Sequence, residues 1–323
     1  MEEKKFSKKI LVLTSGGDCS GMNAYIKALA KLCKKNNSQL FGSMYGFEGL
    51  IQDQIVELDY SNMRLIQNIG GSIIKSSRCK EFQTEKGFNV ALNNLKNHNF
   101  DCIVIIGGNG SFRGARDLKN AGVNILAIPG TIDNDLGYTD LCLGYDTACQ
   151  NAVDDITKIK QSMSAFDRGF VAEVMGRHCA DIALKTAIIS NADMCITENL
   201  SFEDILDKTN QKIANGVKSP LYVVQENLFD IEKLCEFLQN QTDKEFRSVK
   251  IGYVQRGGEP SNVDKLYAIE LAVLTMQNIQ NDLYGVALGK KDSKMIVKNI
   301  DEAVEIKKNI SKELLDLYNL YSF

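Results

Sequence analysis

Two aspartates flank an asparagine at Asp133-Asn134-Asp135, directly after Pro129-Gly130-Thr131-Ile132. An aspartate so placed can take a proton from a hydroxyl, with its neighbour near a metal ion. The same residue types also make helix caps and Asx turns. Two further glycine-rich stretches accompany them, Thr14-Ser15-Gly16-Gly17-Asp18 and Gly107-Gly108-Asn109-Gly110-Ser111. Glycine lets backbone N–H groups approach an anion closely, and a helix N-terminus behind it favours negative charge. One such turn is an ordinary strand-to-helix connection. Three, one of them ending in paired aspartates, point to a polyphosphate site. Phosphoryl transfer rests on positioning and charge neutralisation, so arginines should converge on the same cleft. The candidates are Arg78, Arg168, Arg177, Arg247 and Arg256, each of which can equally be a surface residue.

A common scaffold must present these turns. Residues 10–14, 102–106 and 124–128 are short β-branched runs, the last two continuously apolar, as strands buried on both faces are. Residues 170–175, 220–224 and 249–254 read as later strands. Residues 21–35, 262–279 and 301–318 read as helices. This alternation predicts an α/β fold, doubly wound, with largely parallel sheets. In such sheets ligands bind at the carboxyl ends of strands, where the glycine turns fall.

A chain of 323 residues suggests two domains, and 44% apolar with 24% charged residues is typical of a soluble globular protein. A net charge of −3 gives no reason to expect a nucleic-acid partner. Lys4, Lys5, Lys8 and Lys9 read as a solvated tail, with no signal-peptide core behind them. No run of 18 apolar residues predicts a membrane span. Nine scattered cysteines without a CxxC read as buried thiols in a reducing cytoplasm. With only His98 and His178, a structural zinc site is not expected.

The strings LTSGGDCSGMNA, GGNGS, PGTIDND, EVMGR and QRGG, in this order, resemble the bacterial ATP-dependent 6-phosphofructokinase family from near the start to about residue 305. The resemblance implies two Rossmann-like domains. A larger ATP-binding one would span 1–140 and 257–305, and a smaller sugar-phosphate one 141–256 and 306–323. It implies transfer of the ATP γ-phosphoryl group to the 1-hydroxyl of fructose 6-phosphate, with Mg2+. Gly17, Arg78, Cys79, Gly108, Asn109, Gly110 and Ser111 would line the ATP site. Asp133 would be the base, with Thr131 and Ile132 beside it and Arg177 sharing in catalysis. Met175, Gly176, Arg177, Glu226, Tyr253, Val254, Gln255 and Arg256 would hold the sugar phosphate. Arg168 and Arg247 would reach a neighbouring subunit's site, implying a homotetramer in the cytoplasm.

Family branches that use pyrophosphate carry larger residues where Gly110 and Gly130 stand, so this pattern resembles the ATP branch. Asn109 replaces a magnesium-associated aspartate and removes one charge from the metal position. Tyr253 replaces a histidine, and Cys19-Ser20 an Ala-Pro pair. An effector site would involve Lys27, Lys31, Lys160, Asp193 and Lys218. Tyr60, Asn215 and Val217 lack its other basic groups, which implies weak or altered regulation. Two rivals remain: a weakly catalytic regulatory subunit, and a kinase for another phosphosugar such as tagatose 6-phosphate.

Overall fold

The structure, a computed structural model, describes residues 7–321, so Lys4 and Lys5 lie outside the described residues. The chain divides into two compact units. One runs to Thr147 and resumes over Arg256–Lys308; the other comprises Ala148–Gln255 and the chain from Asn309. The first unit begins β1 (Lys9–Thr14), α1 (Met22–Lys35), β2 (Gln39–Ser43), α2 (Phe47–Ile51) and β3 (Ile55–Glu57). It continues α3 (Glu85–His98), β4 (Cys102–Gly107), α4 (Asn109–Asn120) and β5 (Ile125–Pro129). Helix α5 (Tyr145–Ser164) leads into the second unit. There follow β6 (Gly169–Val174), α6 (Asp181–Ile189), β7 (Met194–Ile196) and α7 (Phe202–Ala214), then β8 (Leu221–Gln225), α8 (Ile231–Gln241) and β9 (Phe246–Lys250). The first unit then adds α9 (Asn262–Gln280), β10 (Val286–Lys291), β11 (Lys294–Asn299) and α10 (Ile300–Glu305), and α11 (Lys312–Tyr321) returns to the second.

The first unit's sheet has the order β11-β10-β5-β4-β1-β2-β3, parallel at its centre with antiparallel edges β3 and β11. Leu11, Leu13, Ile103 and Ile105 face a core filled by Phe47, Leu50, Ala91, Phe112 and Ile300. Ile10, Val12, Val104 and Ile106, on the opposite face, are equally buried. Helix α1 lies on that side, since Met22 and Ile106 both border Gly130. Tyr25 of α1 and Thr275 of α9 share a hydrogen bond of 2.6 Å. Burial on both faces is why these strands read as unbroken apolar runs.

The second unit's sheet, β7-β8-β6-β9, is wholly parallel. Val171, Tyr222, Val224 and Phe246 pack there against Ile205 of α7 and Leu234 and Leu238 of α8. Tyr318 of α11 accepts a hydrogen bond of 2.7 Å from the backbone N–H of Cys195 on the edge strand β7, covering a donor that would otherwise be open.

Seven of the nine cysteines are buried, and Cys79 and Cys195 are half-buried. Burial pushes the thiols of Cys33, Cys195 and Cys235 up to about 12, so they are unreactive packing groups at neutral pH. Among the described residues no helix is long and apolar enough to cross a membrane.

Two expected elements differ. The strand expected over 249–254 ends at Lys250, and Gly252, at φ 56°, opens a 3-10 turn over Gly252–Arg256. A left-handed backbone cannot continue a ladder. The helix expected over 301–318 is broken between α10 and α11. Lys307 there bridges Leu136, and its carbonyl carbon would lie 2.4 Å from a Cβ at Gly137. Ser311 then starts α11, its hydroxyl accepting from the N–H of Leu314.

Side chains cap several helices: Thr84 for α3, Ser201 for α7, Asp230 for α8, Ser261 for α9 and Asn299 for α10. In α9 the capping is tied to α5. The buried carboxylate of Asp264 accepts from Gly144 N and Thr147 N, both at 2.8 Å, and from the Thr147 hydroxyl at 2.5 Å. Burial raises this carboxyl from 3.8 to about 6, against the lowering effect of those three bonds. A raised carboxyl binds its proton more tightly folded than unfolded, so its contribution to stability grows as pH falls from above 6 towards 4. The difference is worth about 3 kcal/mol. Asp264→Asn cannot gain that proton and turns an amide donor towards backbone donors. Urea unfolding should find the variant less stable at pH 7, with the gap to wild type widening at pH 5. A gap that stays constant would mean the carboxyl is already protonated, or never is, in this range.

Candidate active site

The three glycine turns stand at the carboxyl ends of the neighbouring strands β1, β4 and β5 and are bonded to one another. Ser15 N donates to Ile106 O at 2.9 Å, Gly130 N to Gly107 O at 3.0 Å, and the Ser111 hydroxyl to Ser15 O at 3.1 Å. A Cβ at Gly107 would come within 2.3 Å of Ser111 Oγ and 2.6 Å of Ser15 O. Helices α1 and α4 start at Gly21 and Gly108 with no side-chain cap. The N–H groups of their first turns are therefore left for a ligand or water.

Around this floor the side chains are fixed locally. Asp133 is buried, and its own N–H donates to Thr131 Oγ1 at 3.2 Å, closing a tight turn after β5. Thr131 borders Gly108, whose Cβ would lie 3.4 Å from Thr131 Cβ. Ile132 is buried behind them. Asn109 Nδ2 donates to Asp135 Oδ2 at 2.8 Å, while Asp135 Oδ1 is buried and accepts no hydrogen bond. Asn109 thus anchors the Asp135 carboxylate at this turn. Asn109 itself was the expected metal residue.

The loop carrying Arg78 and Cys79 is pinned at three points. Buried Asn23 accepts from Ile73 N at 2.7 Å and donates to Ile69 O at 2.9 Å. Thr14 Oγ1 donates to Lys75 O at 2.7 Å, and Gly16 N donates to Ser77 O at 3.1 Å. Arg78 is left exposed beside the first turn, and Cys79 packs on the core. Asn23 was not singled out from sequence, and Thr14 was read only as part of the first glycine-rich turn, although both lie inside the string that carries the resemblance. Arg256 falls in the first unit, its guanidinium 3.4 Å from the Cβ position of Gly17 and 3.9 Å from Asp18.

In the second unit Met175, Gly176 and Arg177 form the turn after β6. Glu226 Oε1, after β8, accepts from Gly176 N at 3.0 Å and Arg177 N at 2.9 Å. Gln255 Oε1 accepts from Met175 N at 2.8 Å, and Gln225 Nε2 donates to Arg177 O at 2.6 Å. Arg177 sits at φ 49° and Gly176 at φ 141°. These four bonds hold a strained backbone that presents the arginine. Tyr253 and Val254 are exposed in the 3-10 turn, next to buried Gln255.

Arg168 and Arg247 stand elsewhere. Arg168 precedes β6, and Arg247 lies opposite Phe170 in β9, so both are at the amino end of the sheet. The six residues of β6, at ~3.3 Å each, put them roughly 20 Å from the Arg177 turn. Both guanidinium groups pair with Glu245, Arg168 through Nε at 2.5 Å. Arg168 also lies over the Phe166 ring, 4.5 Å from its centroid.

A model of phosphofructokinase matches residues 9–279. The chain belongs to the phosphofructokinase family. It is 37% identical over 317 residues to an ATP-dependent 6-phosphofructokinase of Alkaliphilus metalliredigens, covering 98% of this chain and 99% of the relative. It is 37% identical over 321 residues to that of Clostridioides difficile, at 98% and 99% coverage. Among solved structures it resembles phosphofructokinase from Saccharomyces cerevisiae, with a TM-score of 0.86 and 23% identity over 97% of this chain and 50% of that one. A pyrophosphate-dependent phosphofructokinase from Marinobacter aquaeolei gives 0.85 and 15%, over 98% and 92%. At those identities the structures share the fold.

Of the residues considered for an effector site, Lys27, Lys160 and Asp193 are engaged in the fold. Lys27 Nζ donates to Arg64 O at 2.7 Å and also to Gln67. Lys160 Nζ donates to the carbonyls of Ser190 and Asn191, both at 3.1 Å. Asp193 Oδ2 accepts from Leu221 N at 2.8 Å. Lys31 and Lys218 are exposed, the first in one unit and the second in the other.

The two glycines that bear on the choice of phosphoryl donor differ in their surroundings. A Cβ at Gly110 would meet nothing within 4 Å. At Gly130 it would stand 2.7 Å from Ile106 Cγ2, so smallness there is already demanded by strand packing. Gly130→Ala should therefore lose about 1–3 kcal/mol. Gly110→Ala, in the first turn of α4, should stay within about 1 kcal/mol of wild type or gain slightly. Thermal unfolding of both variants checks this, and equal losses would contradict the open space at Gly110.

Proposed function

We propose that the protein transfers the γ-phosphoryl group of ATP to the 1-hydroxyl of fructose 6-phosphate, the glycolytic reaction that its curated relatives' name denotes. The observation that carries the mechanism is Asp133, buried after β5 and next to two glycine turns whose helices lack side-chain caps. Asp133 takes the proton of the attacking hydroxyl. The backbone N–H groups at Gly17 and over Gly108 to Ser111 receive the polyphosphate, with Arg78 and Cys79 beside the nucleotide. The open face of Gly110 gives room for the nucleoside end of ATP, which favours ATP over pyrophosphate as donor.

Metal fits this donor set in part. Asp135 Oδ1 is a buried carboxylate oxygen with no hydrogen bond, and no cluster of three or more His, Cys, Asp or Glu side chains gathers among the described residues. The chain supplies one hard ligand, and the phosphates supply most of the rest. Magnesium bound with ATP would draw charge from the transferring group. Asp135 thus keeps a carboxylate where Asn109 carries none, which weakens the reading of a non-catalytic subunit. In the second unit the Met175–Arg177 turn and Glu226 hold the sugar, and Arg177 brings positive charge to it, with Tyr253, Val254 and Gln255 completing that unit's set; Arg256, expected at the sugar phosphate, belongs to the first unit.

Asp133→Asn should lower turnover by ~10²–10⁴ with sugar-phosphate affinity little changed, as loss of a general base does. A coupled assay for ADP release measures it, and near-wild-type turnover would remove Asp133 from the mechanism.

Arg168 and Arg247 cannot serve the Arg177 turn of their own chain, because a strand's length separates them. They serve a second copy, and the active enzyme is a homo-oligomer with shared sites. Inactive Arg168→Ala and Asp133→Ala proteins, dissociated and reassembled together, should recover part of the activity, since some hybrid sites hold both groups. Mixed oligomers with no recovery would rule out sharing.

A further inference from the structure

Gln225 closes β8 after the buried hydrophobic residues Leu221, Tyr222, Val223 and Val224, and is itself buried. It was not among the residues expected at the sugar. In the register of the sheet it stands opposite Val174, the last residue of β6, and Glu226 N then donates to Val174 O at 2.9 Å. The ladder therefore ends where the Met175–Arg177 turn begins. Side chains alternate along a strand, so Gln225 leaves the face of Tyr222 and Val224, which packs on α7 and α8.

For packing alone an apolar side chain would serve at this position. A buried amide costs stability unless its polar atoms are bonded. Gln225 Nε2 donates to the carbonyl of Arg177 at 2.6 Å.

That bond completes a bracket around one residue. Glu226 Oε1 accepts from the N–H of Arg177 at 2.9 Å, and Gln225 holds its C=O. The orientations of the two peptide groups about a Cα are its φ and ψ, the only soft angles the backbone has there. Holding both groups keeps Arg177 at φ 49°, a left-handed conformation that a residue with a Cβ does not readily take. Gly176, at φ 141°, is held by other bonds: its N–H by Glu226, and its C=O by Cys179 N at 2.9 Å. Without the Gln225 bond the Arg177 carbonyl is free to turn. The left-handed φ then has support on one side only, and a return to negative φ re-aims the guanidinium.

We infer that Gln225 is a positioning residue for the phosphorylated sugar, acting through the backbone of Arg177. The inference rests on the reading above that Arg177 brings positive charge to that substrate. Gln225 is buried and its amide nitrogen is spent on the turn, so a substitution there separates the aim of Arg177 from direct contact with the ligand.

The test is calorimetric titration with fructose 6-phosphate in the absence of ATP, together with half-saturation for both substrates in the coupled assay. Gln225→Met keeps the length and the burial but has no donor. It should weaken fructose 6-phosphate binding about two- to tenfold, the usual loss for one hydrogen bond, with ATP half-saturation unmoved. Gln225→Glu sets a carboxylate oxygen against the Arg177 carbonyl and should weaken the sugar at least as much. Should Gln225→Met fail to fold, Gln225→Asn, whose amide falls one methylene short of the carbonyl, carries the same expectation. The deciding comparison is kcat/KM for fructose 6-phosphate, which is measurable even where binding is weak. Gln225→Met should lower it in the wild-type background and leave it unchanged in an Arg177→Ala background, where no guanidinium remains to be aimed. An equal drop in both backgrounds, or equal weakening of ATP and sugar, would make Gln225 a packing residue and overturn the inference. If the wild type binds fructose 6-phosphate and Gln225→Met binds it as tightly, the role of Gln225 falls and the kinase reading stands. A wild-type chain that neither binds fructose 6-phosphate nor releases ADP from ATP overturns the kinase reading, and this inference with it.

Discussion

The close approach of the carboxyl ends of β1 and β4 is the constraint on which the candidate site depends. No side chain fits at Gly107, because Ser111 Oγ and the carbonyl of Ser15 occupy its Cβ position. That contact lets Ser111 bridge from α4 to the turn after β1. It sets the start of α4 beside the turn that leads to α1, and both helices begin without a side-chain cap. The turn after β5 joins through Gly130 N and Gly107 O. A residue larger than glycine at 107 would push α4 away from β1 and separate the N–H groups that make the floor attractive to an anion.

The two units meet the need for positive potential differently. The first offers backbone N–H groups, which carry no full charge and need no counterion, with the Arg256 guanidinium beside Gly17. The second holds an arginine on a left-handed backbone, and Glu226 accepts both N–H groups of that turn. A carboxylate there costs some positive potential. It also removes the freedom of the turn, so Arg177 is presented in one geometry rather than searching for it. Glu226 was expected to touch the sugar, and in the structure one of its oxygens is already spent on the backbone.

Much of the centre of the fold was legible because the strands are buried on both faces. The run at 102–106 and that at 125–128 have no polar residue to confuse the pattern, and both became central strands. The three glycine turns followed from those strands. Edge strands β3 and β7 were not legible, being three residues long and half-patterned. The break between α10 and α11 had no local signal, because it comes from Gly137 and Leu136 meeting Lys307 far along the chain. The lysines suggested for an effector read identically whether they face solvent or donate to carbonyls. Lys27 and Lys160 donate to carbonyls supplied by tertiary neighbours. Asn23 was hidden differently. A polar residue in the first turn of a helix looks like a surface group, yet it is buried and ties down the loop that brings Arg78 to the site.

The positions of Arg168 and Arg247 bear on why an assembly would be needed at all. Parallel strands place every carboxyl end on one side of a sheet and every amino end on the other. Residues at the two ends of β6 are separated by the strand itself, which no side-chain movement can shorten. An arginine at the amino end is therefore lost to its own chain's ligand, however well it suits a phosphate. Were it placed against a second copy, as proposed, it would be lost no longer, and the same two arginines would gain a function without any new element. In the single chain they are held by Glu245, a half-exposed pair of contacts of the kind worth little in water. If sites are shared as proposed, that weakness would be useful, because a doubly charged phosphate offered by a neighbour would displace one carboxylate from two arginines at little cost.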